Sequence, residues 1–330
     1  MHLKRTKLAS RVTRIAGWVG DSRHAAHIAK AIEHRGIITT YRTHDRVMSN
    51  RWSRRLYARA PAALDEVQRR VADALDEQDY AVVPFAELVP DEAQRAAVED
   101  QGAAFAARTE EMLAREAAGE DDTFRSRETG KEFLVRLHGF GGRLRLDDPW
   151  LSLCLSRRML DVANAYLRMW SKLEYVDLWY SVPIPGGSER VASQRWHRDY
   201  DDRHLLKVFL YLVDVDEEAG PFEFVPGSAR QQPYAGLWPW YPLSQSYPSQ
   251  EEVARRVPAS AVRTFTAPKG TLIFCNTSGF HRGGFATGKP RVLATATYCS
   301  PASLASLTVR SFTLEGSRRA LDGPARYALA

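Results

Sequence analysis

Cysteine is scarce in this chain. Its 330 residues include only Cys154, Cys275 and Cys299, an odd number with no CxxC pair. That excludes a disulfide framework and a thiolate metal site, and predicts a reducing cytoplasm. Long apolar runs are also missing: no stretch approaches the roughly 20 residues that a membrane span needs. No internal repeat or low-complexity tract is evident. Acidic residues are nearly absent from one end. Residues 1–55 hold 13 Lys and Arg against Asp21, Glu33 and Asp45, a local charge of +10, which leaves −4 for the rest of a chain whose total is +6. The basic character belongs to an N-terminal arm and not to the body, so no nucleic-acid partner is expected.

Within the arm, Leu8, Val12, Ile15 and Val19 recur at helical spacing among Arg and Lys. The pattern is open to several readings: a membrane-surface helix, a docking helix for a protein partner, a transit peptide, or a basic helix packed on the body. From Pro61 the texture changes. Residues 61–78 carry Leu64, Val67, Val71 and Leu75 at three-to-four spacing and predict an amphipathic helix, followed by a strand over 80–85. A second helix is predicted from Pro90 to Ala118, a strand at 133–137, and one long apolar-faced helix over 150–170. Beyond that the chain reads as β, with strands over 175–182, 205–215, 222–225, 262–266, 271–276 and 291–298, separated by Pro and Gly turns. The expected architecture is mainly β with flanking helices, a double-stranded β-helix (jelly-roll) core preceded by N-terminal helices. The expected division is a basic extension over 1–60 and a catalytic domain over 61–330, helical over 61–172 and jelly-roll over about 173–300.

The most informative motif is Trp196-His197-Arg198-Asp199. On an extended strand residues i and i+2 share a face, so His197 and Asp199 can reach one cavity, while Trp196 and Arg198 should point away. A third ligand, His281, lies 84 residues later and would complete a two-His-one-carboxylate triad. That donor set leaves coordination positions open and marks non-heme Fe(II) oxygenases, which activate O2. Arg291 follows at the start of the run RVLATATY. Its planar fork suits a carboxylate, as a dicarboxylate co-substrate such as 2-oxoglutarate would require. His204 sits in a charged loop and is read as solvated, and His138, before a Gly-rich turn, as structural.

WHRD, LLKVFLYLVDVD, GPFEFVPGS, GTLIF with the later His281, and GKPRVLATATY together resemble the phytanoyl-CoA dioxygenase family, over roughly residues 65–300. The resemblance implies that His197, Asp199 and His281 bind Fe(II), that Arg291 grips the distal carboxylate of 2-oxoglutarate, and that Lys207 shares it. It also implies a small-molecule substrate hydroxylated at an unactivated C–H bond. Asp199 argues against halogenation, because related halogenases replace this carboxylate with a small residue. Two other readings stay open: a non-catalytic binding module tethered by the basic arm, and a metal-dependent oxygenase that does not use 2-oxoglutarate. The segment 231–258, with Tyr234, Trp238, Trp240, Tyr241 and Tyr247, reads as a long loop suited either to a substrate lid or to packing on the barrel.

Overall fold

The structure, a computed structural model, describes residues 35–36, 38–120, 131, 133–139, 141–184, 189–229, 234–237, 247–303 and 311–330. The helical pattern proposed for residues 8–19 lies outside them, as do Trp238, Trp240 and Tyr241. The first named helix, α1 (Ser49–Arg59), belongs to the basic segment. Its buried side, Asn50 and Ser53, is polar and hydrogen-bonds to the body: Asn50 Nδ2 donates to Ser300 Oγ and Ser53 Oγ to the Trp170 carbonyl.

Helix α2 (Glu66–Gln78) starts at a capping box, in which Asp65 accepts from the Gln68 backbone and Gln68 answers to the Asp65 N–H. The helix therefore starts five residues later than the predicted 61. Strand β1 (Tyr80–Pro84), the short α3 (Phe85–Leu88), α4 (Glu92–Ala117), β2 (Leu134–Arg136) and β3 (Gly142–Arg145) follow. The single helix expected over 150–170 is two, α5 (Pro149–Cys154) and α6 (Arg157–Leu167). The chain turns extended at Ser156, with φ −67° and ψ 157°, and this interrupts an apolar pattern that periodicity alone reads as continuous.

Strands β4 (Lys172–Ser181), β5 (Leu205–Tyr211), β8 (Thr271–Cys275) and β10 (Arg291–Cys299) form the large sheet with β1 and β2, in the order β1-β8-β5-β10-β4-β2 and antiparallel throughout. A small sheet of β7 (Arg263–Phe265), β6 (Phe222–Phe224) and β9 (His281–Arg282) faces it. A parallel pair joins β3 to β11 (Phe312–Glu315). Strand β5 ends earlier than expected, because Asp214 turns to accept the Lys269 N–H and only Val215 re-pairs, with Ala267. The run 231–258 is not all loop: Ser249 and Glu252 form a capping box that opens α7 (Gln250–Arg256). Helix α8 (Gly323–Ala328) closes the chain.

Period-two alternation divides the large sheet. Leu206, Val208, Leu210, Leu272, Phe274, Val292, Ala294 and Ala296 face a core shared with Leu75, Trp150, Leu151 and Leu160 of the helices. Phe209, Tyr211, Ile273, Cys275 and Leu293 face Phe222, Phe224 and Phe265 of the small sheet. The two sheets form the jelly roll, and their facing surfaces enclose the site.

Candidate metal centre

Two loops carry the metal-ligand candidates, and backbone pairing brings them together. His197 and His281 exchange backbone hydrogen bonds of 2.8 and 2.9 Å, and the Asp199 N–H donates to the Thr277 carbonyl at 2.9 Å. His197 lies in an isolated β-bridge rather than a full strand, yet the extended backbone keeps the i, i+2 geometry. One ligand atom from each of His197, Asp199 and His281 lies within 4.8 Å of the others. Trp196 instead stacks on Phe280, with centroids 5.3 Å apart, and Arg198 donates to the carbonyls of Ser228 and Ser278 at 2.6 and 2.7 Å. Both residues thus pin the ligand loops from behind.

Hydrogen bonds select which atom of each ligand stays free. His197 Nδ1 donates to the Arg195 carbonyl (2.8 Å) and His281 Nδ1 to the Gly279 carbonyl (3.0 Å). This fixes the tautomer and turns each Nε2 lone pair inward, 3.8 Å from Asp199 Oδ1. The other oxygen, Oδ2, accepts from Thr277 Oγ1 (2.6 Å) and Lys207 Nζ (3.0 Å). Burial, assisted by His197, pushes His281 down to about 3, and burial also lowers His197. Burial alone would raise Asp199, but Lys207, His281, His197 and Thr277 outweigh it and hold the carboxylate well below its usual range. The result is two neutral imidazoles and one anionic oxygen, the protonation states that a divalent cation needs. The residues fit an iron site.

A pocket opens beside the triad, lined among others by Trp179, Ser181, Lys207, Phe209, Phe222 and Arg291. Arg291 is buried. Its Nη1 donates to the Gly220 carbonyl at 2.6 Å and its Nη2 to Ser181 Oγ at 3.4 Å, while Nε has no partner. Among the described residues no carboxylate pairs with it, and burial lowers its pKa. Gly284 is required beside it: a Cβ there would lie 1.6 Å from the Gly220 oxygen and 2.5 Å from Arg291 Nη1.

The sequence-level candidates are thus gathered around one pocket, with two refinements. Lys207 lines the pocket, but its ammonium bonds Asp199, a contact that the resemblance did not suggest. His204 is not solvated. It is half-buried, 3.3 Å from Asp45 of the basic segment. His138 lies 3.5 Å from Asp148, away from the triad. Tyr247 stands edge-on to His197 with centroids 5.8 Å apart, and Tyr234 packs on the Trp196 cluster, so this part of the aromatic segment lies against the metal loops. Sequence reasoning missed Thr277. A hydroxyl four residues before His281 is the only trace it leaves.

A jelly roll with a His-Asp-His cluster at one end of an Arg-lined pocket defines the class of non-heme iron oxygenases. The chain belongs to the phytanoyl-CoA dioxygenase family, whose model matches residues 58–292. This is a family of Fe(II)- and 2-oxoglutarate-dependent enzymes. No curated protein sequence matches the chain. Solved structures similar to it include the non-heme alpha ketoglutarate dependent epimerase SnoN from nogalamycin biosynthesis, at 19% identity, TM-score 0.43, and 76% of this chain against 94% of that one. EctD from S. alaskensis, with 2-oxoglutarate and 5-hydroxyectoine, is 19% identical, with TM-score 0.43 and coverage of 74% and 79%. HygX from Streptomyces hygroscopicus, with nickel and 2-oxoglutarate bound, is 16% identical, with TM-score 0.42 and coverage of 79% and 95%.

Proposed function

We propose that this protein is a dioxygenase that couples 2-oxoglutarate decarboxylation to hydroxylation of an unactivated C–H bond in a small-molecule metabolite. His197, Asp199 and His281 are the iron ligands in this reading. The observation that carries it is the convergence of three ligand atoms, each left free by a hydrogen bond on the other atom of its group. Bound iron supplies O2 activation once 2-oxoglutarate is present.

The chain's own residues supply the rest. Thr277 and Lys207 hold Asp199 Oδ2, leaving Oδ1 to the metal. Arg291, a buried guanidinium without a carboxylate partner among the described residues, takes the distal carboxylate of 2-oxoglutarate. Lys207, on the same pocket wall, is its second cation, shared with Asp199. Phe209, Phe222 and Leu293 keep water from the pocket, and Trp179 and Phe133 offer apolar surface to a substrate. Retention of a carboxylate at 199 favours hydroxylation over halogenation. Three unpaired, buried cysteines accord with a cytoplasmic setting.

Anaerobic addition of Fe(II) and 2-oxoglutarate to the purified protein should produce a visible metal-to-ligand charge-transfer band. His197→Ala and Asp199→Ala should abolish it. Full iron binding by both variants would remove these residues from the metal site.

A further inference from the structure

The basic segment has a second face that the oxygenase reading does not use. Among the described residues, five large apolar side chains stand exposed, and three of them lie within six positions: Val47 (62%), Met48 (52%) and Trp52 (53%). They occupy a corner. A helix through 38–46 ends there, Val47 and Met48 make the turn, and Trp52 sits on the first turn of α1.

Exposed arginines flank this corner on both helices. Arg42, Arg46, Arg51, Arg55 and Arg59 are all exposed, and none has an ion-pair partner among the described residues. The one acid between residues 38 and 60 is Asp45, which is turned inward to Arg54 (2.8 Å) and His204 (3.3 Å). The corner is also fixed to the body. Tyr41 Oη donates to Asp202 Oδ1 at 2.7 Å, and Asn50 to Ser300 at 3.0 Å. It is an apolar tip mounted on the body, on a segment rich in exposed arginines.

We propose that residues 42–59 form a docking surface for an anionic lipid bilayer. The tip enters the headgroup boundary, and the arginines meet lipid phosphates and carboxylates. The mixture of side chains favours this partner. A bilayer interface rewards burial of Val47, Met48 and Trp52 and lets arginines extend to the headgroups. A nucleic acid would use the arginines but leave Val47 and Met48 in water. The strongly basic residues 1–34 are ill suited to cover these arginines, and a second copy of this surface would repel it by charge.

The test uses the full chain. The native cysteines are buried, so Met48→Cys can be labelled selectively with an environment-sensitive fluorophore. Addition of phosphatidylcholine vesicles containing phosphatidylserine should shift the label's emission to the blue, and vesicles of phosphatidylcholine alone should not. Each Arg→Glu change at 51 and 55 should weaken sedimentation with anionic vesicles about five-fold or more, and added salt should do the same. Val47→Ser with Trp52→Ser should reduce it without altering the salt dependence. Co-sedimentation with an unshifted label would overturn the proposal. So would a label already shifted before lipid is added, which would mean that residues 1–34 or a second copy cover the corner. Binding to a polynucleotide but to neither kind of vesicle would overturn it in favour of nucleic acid.

Discussion

The two faces of the large sheet are built from the same strands and meet opposite demands. On β10, Val292, Ala294 and Ala296 turn toward the helices, while Arg291 and Leu293 turn toward the pocket. On β5, Leu206, Val208 and Leu210 bury apolar surface, and between them Lys207 reaches Asp199. The helix-facing side is an apolar core whose few polar groups are hydrogen-bonded, as Trp150 Nε1 is to the Thr295 carbonyl and Tyr298 Oη to the Cys154 carbonyl. The pocket-facing side holds a guanidinium with an unpartnered Nε and a lysine, and it looks onto the three candidate ligands carried by the loops and the small sheet. Groups of that kind cost stability when buried. The alternation therefore assigns stability to one parity and chemistry to the other, within single strands.

That division can be broken experimentally. The largest effect should come from the helix-facing side. Phe274→Ala removes a fully buried ring and should lower unfolding free energy by about 3–5 kcal/mol in denaturant titration, with the charge-transfer band still forming in the folded fraction. Loss of the band in fully folded protein would show that the two faces are coupled.

A buried acid away from the pocket comes next. Glu174 on β4 accepts from Ser303, and burial, aided by Asp201, raises it to about 7 from an ordinary 4.5. The neutral form is favoured in the fold, so the stability it contributes is complete below the ordinary value and is lost as pH rises through 7. A shift of this size corresponds to about 3 kcal/mol. Glu174→Gln should flatten the fall in stability between about pH 4.5 and pH 7. An unchanged slope would place the cause elsewhere.

The smallest effect on folding should be the most specific for function. Arg291→Ala should raise the 2-oxoglutarate concentration required for turnover roughly 10- to 100-fold, the range expected for one charged hydrogen-bonded contact. Iron binding should be intact and stability unchanged or higher, because an unpaired buried charge is removed. An unchanged requirement would assign the carboxylate to Lys207 alone.

The pairing of His197 with Asp199 was legible because it depends on a local rule, an i, i+2 pair in extended chain, whereas His281 was reached through the donor set and the family resemblance. Lys207 was legible only through the family resemblance. Its bond to Asp199 was not, because that contact depends on where the 197–199 loop crosses β5. Nor was Thr277, since one hydroxyl carries no periodic signal. The break at Ser156 escaped because apolar spacing continues through it. Helix α7 could have been found, because Ser249 and Glu252 spell a capping box, but the aromatic residues before it drew the whole segment into one loop. The inward face of α1 was hidden for a different reason: Asn50 and Ser53 are polar, and hydropathy cannot distinguish a polar residue bonded to the body from one facing water.

The pairing of the 197–199 loop with the 277–281 loop has a consequence for the newly made chain. A polypeptide emerging from the ribosome displays His197 and Asp199 long before His281 exists. Two ligands without the third, and without the backbone zipper that aligns them, make a poor hold for iron. On the proposed assignment, loading would wait until β8 and β9 are in place, with only β10 of the large sheet still to come. If these three residues hold the iron as proposed, the late arrival of one histidine acts as a timer, withholding a redox-active ion until most of the strands that will surround it exist.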